Sequence, residues 1–138
     1  MNIFILDKNK RKSAQYHVDK HIVKMPLETA QLLCTARHCF NESPDSIPYK
    51  NTHTNHPCSV WTRQNRSNYL WLCIMGIELC VEYTYRYHKR HKCQDVINDC
   101  IDNIPSGMQS GNVTAFVQAM DDQYKTDDPV LSYRNYYN

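Results

Sequence analysis

The chain has 138 residues, 41 % of them hydrophobic, with ten Tyr and two Trp against only three Gly and six Pro, which suits one domain with one core and excludes a disordered or low-complexity chain. Sixteen Lys and Arg against fourteen Asp and Glu leave a net charge of +2, too small to argue for nucleic acid by itself. Seven Cys is an odd number, and with no signal-peptide pattern and no apolar run of about 18 residues the chain reads as a thiol-bearing protein of a reducing intracellular compartment, neither secreted nor membrane-spanning.

Residues 1–6 form a short apolar run that reads as a strand or an extended arm packed on the domain, and residues 7–12 read as a charged turn. From Ser13, a suitable N-cap, to His38 the pattern is helical, with Val18, Ile22, Met25, Thr29, Leu32, Leu33 and Ala36 on one face. Pro26 removes a backbone bond and crowds the preceding turn, so a kink or break is expected at residues 23–25. At about 100° per residue a second apolar stripe of Val23, Leu27, Ala30 and Cys34 lies about 140° from the first. Between the stripes runs a polar strip of His17, Lys20, His21, Lys24, Glu28 and Gln31. A helix buried on both sides would hold that strip in a cleft. The alternative is an exposed strip in which Lys24 and Glu28 merely pair at helical spacing.

Residues 41–57 are the longest loop, and the next helix opens after it with Pro57 in its first turn and runs to about Lys89. Its segment 69–81 is apolar nearly all round and too short to span a membrane, so it is predicted as the long central helix of the core. Glu78 is the one charge there, and a structural pairing with a cation is its simpler reading. Residues 93–102 form a shorter helix, a loop passes Pro105, Gly107 and Gly111, and a last helix opens where Asp128 and Pro129 supply a cap and a first-turn residue. No repeat or linker divides the chain. Residues 1–138 therefore read as a single all-α domain with a short extended N-terminal arm. Basic residues cluster at Lys8, Lys10, Arg11 and Lys12 and again at Arg86, Lys89, Arg90 and Lys92, and acids at Asp121, Asp122, Asp127 and Asp128, which polarises the surface.

Several chemistries lack their signatures. His17 with His21, His53 with His56 and His88 with His91 have ligand-like spacings, but no Glu stands beside the first pair as in an H-E-x-x-H helix, so no metal is expected. There is no G-x-S-x-G elbow, and three Gly cannot write either phosphate-binding loop, so no cofactor is expected. Nucleic-acid chemistry fits more of the pieces. An amine of lowered pKa can attack a sugar C1′ to form an imine while a carboxylate steadies the cationic sugar and moves protons. Lys24 and Glu28, with Lys20 and His17 on the same strip, would supply these groups. Lys10, Arg11 and Lys12 would meet phosphates, His56, Trp61 and Asn68 would contribute to binding, and Tyr133, Arg134, Tyr136 and Tyr137 would stack on or flank an extruded base. The other reading of these tyrosines is that they seal the core.

Residues 16–33, 55–61, 82–87 and 128–137 are similar to a group of short proteins of phages and large DNA viruses, a likeness spanning almost the whole chain. It attaches no reaction; a viral origin would place the protein in the host cytoplasm. More distantly, an early His and a mid-helix Pro in the first long helix, a long central helix and a Tyr-rich C-terminus resemble the pyrimidine-dimer DNA glycosylases of the phage endonuclease V type. That resemblance implies an all-helical domain, DNA as partner, and base-excision glycosylase and abasic lyase activity. It also implies an α-amine nucleophile, exposed when the initiator Met is removed before a small residue, assisted by a Glu of the first helix. The chain departs at both points. Asn2 is large, so Met1 is expected to stay and the α-amine to move one residue outward, and Lys24 stands where the family's Glu would align, with Glu28 one turn later. These departures favour two alternatives: another nucleotide-processing or base-modifying enzyme in the same cleft, or a non-catalytic viral binding protein for nucleic acid or nucleotides.

Overall fold

Six α-helices and no strand form among the described residues, 1–40 and 42–137, of the computed structural model. Asn41, the first residue of the predicted long loop, lies outside them. The N-terminal arm is extended and buries Ile3, Phe4, Ile5 and Leu6. The predicted charged turn ends in a helix, α1 (Lys10–Gln15), because Asn9 caps it: its Oδ1 accepts from the Lys12 N–H at 3.0 Å. Ser13 is thus not a cap. Its hydroxyl accepts from the Leu6 N–H at 3.0 Å and pins the arm.

The chain breaks at residues 16–18, not 23–25, and α2 (Asp19–His38) then runs without interruption through the buried Pro26. The proline costs α2 one bond, that to the Ile22 carbonyl, and the burial of Ile22, Met25 and Thr29 offsets it. The first apolar stripe is buried except for Val18, but the second is not: Val23 and Leu27 are 48 % and 38 % exposed, and only Ala30 and Cys34 are covered. The polar strip is therefore walled on one side only by its own helix.

α3 (Pro57–Arg63) opens on Pro57 as predicted, with His56 Nδ1 accepting from the Cys58 N–H at 3.0 Å. The helix predicted from 57 to 89 is in fact two, because Asn65 ends one run and caps the next, its Oδ1 accepting from the Asn68 N–H at 2.8 Å at the start of α4 (Arg66–Tyr87). α4 packs on α1, α2, α3 and α5 and buries Tyr69, Leu72, Cys73, Met75, Leu79 and Cys80. It is apolar-buried on one side rather than all round, since Ile74 is 44 % exposed. At Gly76 it approaches α2 so closely that a Cβ would lie 2.8 Å from Thr29 Cγ2. Glu78 finds its cation in Arg11 of α1, at 3.6 Å.

α5 (Gln94–Asp102) and α6 (Pro129–Tyr137) match their predicted places, and Asp128 caps α6 by accepting from the Val130 N–H at 3.0 Å. Between them residues 103–121 form a strap with no helix or strand, held by side chains: the Thr114 N–H donates to Asn68 Oδ1 at 2.9 Å and the Trp61 indole donates to the Thr114 carbonyl at 3.3 Å. Among the described residues the seven cysteines are thiols, six of them buried, and no helix is long and apolar enough to cross a membrane.

Candidate active site

The arm lies along α2, and where its first residues meet the polar strip they enclose Glu28. Its carboxylate, 12 % exposed, has the Met1 α-amine 3.6 Å from Oε1 and Lys24 Nζ 3.8 Å from Oε2, and the Asn2 N–H donates to Oε1 at 3.1 Å. Helical spacing explains the Lys24 contact, and His21, two turns before Glu28, projects on the same face. The groove so formed, about 220 Å³, is lined by Met1, Asn2, Phe4, His21, Lys24, Glu28 and Tyr136. A wider one of about 450 Å³ continues from it along Phe4, His21, Lys20, Tyr136 and Tyr137. Tyr137 leads on to a third, about 390 Å³, bordered by Leu6, Tyr16 and Arg134.

Aromatic rings form the groove's wall. Phe4 stacks on His21 with centroids 4.6 Å apart and lies near-parallel to Tyr136 at 6.4 Å. The Tyr137 hydroxyl accepts from the Val18 N–H at 2.9 Å and shares a hydrogen bond with His21 Nδ1, 2.7 Å away. Burial, with Lys20 adding to it and Glu28 opposing, holds this imidazole below its usual range. His56 is lowered too, first by burial and then by the Met1 amine and His53, with Glu28 opposing.

Of the residues picked from the sequence, Lys24 and Glu28 meet, and Lys20 lines the adjoining groove. His17 does not join them. It is 3 % exposed, its Nδ1 donates to the Ser13 carbonyl at 2.7 Å, and burial lowers its pKa to about 4. On α1, Lys10 sits over the Trp71 ring at 5.6 Å, Arg11 pairs with Glu78, and Lys12 is exposed. Trp61 and Asn68 are 2 % and 0 % exposed and belong to the core rather than to a binding surface: Asn68 Nδ2 donates to the Trp61 carbonyl and to Thr114 Oγ1, both at 2.8 Å. Tyr133, 0 % exposed, seals the core, which removes it from base stacking. Arg134 lines the third groove while its Nε donates to the Leu6 carbonyl at 2.7 Å and its Nη2 to Asp7 at 2.9 Å. Tyr136 and Tyr137 do face grooves.

The carboxylate at the amine is Glu28, so its place one turn beyond Lys24 is no obstacle to a Glu–amine pair. Met1, Asn2 and Phe4 join the site with no local signal in the sequence, whereas His21 stands seven residues before Glu28, two helical turns that the sequence does display. Among the described residues no three His, Cys, Asp or Glu side chains gather as a metal set. A family model described as pyrimidine dimer DNA glycosylase matches residues 1–95, a stretch holding the arm, α1 to α4 and the Met1, Lys24 and Glu28 cluster. No curated protein and no solved structure matches the chain.

Proposed function

The chain belongs to the pyrimidine dimer DNA glycosylase family, and from that premise we propose that it excises a damaged pyrimidine from DNA by amine chemistry centred on Glu28. The observation that carries this reading is one sheltered carboxylate bracketed by two amines, Met1 at 3.6 Å and Lys24 at 3.8 Å. Only an unprotonated amine attacks, and α-amines as a class release their proton about 2.5 pH units below lysine side chains, which favours the α-amine.

The nitrogen lone pair forms a bond to C1′ of the lesion nucleotide as the C1′–base bond breaks, and that bond's electron pair leaves with the base, which takes up a proton. The attacking nitrogen then releases a proton. Opening of the C1′–O4′ bond, with a proton going to O4′, leaves a protonated imine. Glu28 would stabilise the positive charge that builds at C1′ and accept the proton from nitrogen, a role its low exposure strengthens. Loss of the C2′ proton would expel the 3′ phosphate, and water adding to the imine would return the amine. The grooves walled by Phe4, Tyr136 and Tyr137 would receive unstacked bases, with Lys20 and Arg134 towards phosphates.

Glu28→Gln keeps the shape and removes the charge. Glycosylase turnover of this variant on ultraviolet-irradiated duplex is expected to fall by at least about a hundredfold, with its melting recorded alongside, while Lys24→Met keeps most activity. Turnover of Glu28→Gln near the wild-type rate would remove the carboxylate from the account.

A further inference from the structure

Asn2 is tied at both ends of its side chain. Nδ2 donates to the Ala119 carbonyl at 3.1 Å, and Oδ1 accepts from the Tyr133 hydroxyl at 2.7 Å. That hydroxyl is buried and also lies 2.8 Å from the Val117 carbonyl and accepts from the Ala119 N–H at 3.3 Å. Its single proton serves the Asn2 and Val117 oxygens in turn, so arm, strap and α6 share one junction. The Asn2 N–H, in the same peptide unit, donates to Glu28. From that planar unit, held through the Asn2 N–H and side chain, a single rotatable bond, Cα–C of Met1, leads to the α-amine. The Met1 side chain, 3 % exposed, is itself buried and restricts that rotation.

We propose that Asn2 and Tyr133 are positioning residues: through this junction the strap and α6 hold the α-amine of a retained Met1 against Glu28 for attack. The inference rests on the amine reading above and says which amine reacts and what aims it. Val117, Ala119 and Tyr133 all lie beyond residue 95, so a part of the chain outside the family match sets the geometry of the reacting end. It also gives the large second residue a purpose. A small side chain there would not reach Ala119 and Tyr133, and loss of Met1 would empty the space its side chain fills. Misplacing a reacting group by about 1 Å can cost on the order of a hundredfold in rate, so such an anchor matters.

The test uses the full chain, a duplex carrying one abasic site, and borohydride. Intact mass is expected to show Met1 in place, and peptide mapping of the reduced adduct to find the sugar on the Met1 α-nitrogen. Asn2→Leu keeps a large second residue without its hydrogen bonds, and Tyr133→Phe removes the hydroxyl alone. Both are expected to form adduct about tenfold to a hundredfold more slowly at saturating DNA, with the half-saturating DNA concentration changed by no more than about twofold. A merely structural role would not separate those two quantities. An adduct on Lys24, on Lys20 or on Asn2 after loss of Met1, or wild-type saturating rates in both variants, overturns the inference and leaves the amine reading standing. No adduct from the wild-type protein on any DNA removes that reading and this inference with it. If Tyr133→Phe melts below the assay temperature, Asn2→Leu, at a part-buried position, decides alone.

Discussion

His17 and His21, neighbours on the predicted polar strip, differ because the chain breaks at residues 16–18, before α2, and only His21 is carried on that helix. His17 falls in the break, is buried against Phe4, and is kept neutral with its pKa lowered to about 4. The unfolded chain would take up that proton near the ordinary value of about 6.5. Between those values the unfolded state binds a proton that the native state refuses, so stability is lost as pH falls from about 6.5 towards 4, by about 3 kcal/mol for this group. His17→Gln should lack that part of the acid loss in urea unfolding at pH 7 and pH 4.5; an identical pH dependence in both proteins would contradict the assignment. Lys24 and Glu28 were legible at this scale because four residues of helix bring them together. The Asn2 bonds to Glu28 and Tyr133 span 26 and 131 residues, which no local pattern records.

Among the elements, the number and order of long helices could be read, but two breaks could not. Residues 16–18 keep the helical period of their surroundings, and Asn9 and Ser13 are both capping types, so only the tertiary bond from Ser13 to Leu6 decides between them. Residues 64 and 65 carry no Gly or Pro to announce a stop. The expectation at Pro26 failed because packing outweighs a single lost bond. Arg37 on α2 shows how strongly α2, α5 and the following loop are joined: it is 1 % exposed, its Nε donates to Glu42 at 2.9 Å and its Nη1 to Asp99 at 2.8 Å. A guanidinium does not shed its charge, so the double variant Glu42→Gln, Asp99→Asn leaves a buried cation unanswered. It should lose about 3–5 kcal/mol in denaturant unfolding; a loss under about 1 kcal/mol would mean that Arg37 is solvated after all.

Over the whole molecule, the two ends of the chain build the site together. Met1, Asn2 and Phe4 lie on α2, and α6 closes over them through Tyr133, Arg134, Tyr136 and Tyr137. That closure was not readable from α2 alone: the expected second wall, Val23 and Leu27, is open to solvent, and the arm supplies the wall instead. The predicted basic patch near residue 88 is partly consumed in the same way, since Arg86 is bonded to Glu82 at 2.7 Å and to Asp19 at 2.9 Å. In the proposed reaction an amine beside Glu28 attacks the sugar of a damaged nucleotide. The most direct measurement is borohydride reduction of the protein mixed with abasic-site and ultraviolet-irradiated duplex DNA. A covalent protein–DNA adduct is predicted with the wild-type chain and a far slower one with Glu28→Gln; no adduct on either DNA, from protein shown to bind both, would contradict the account.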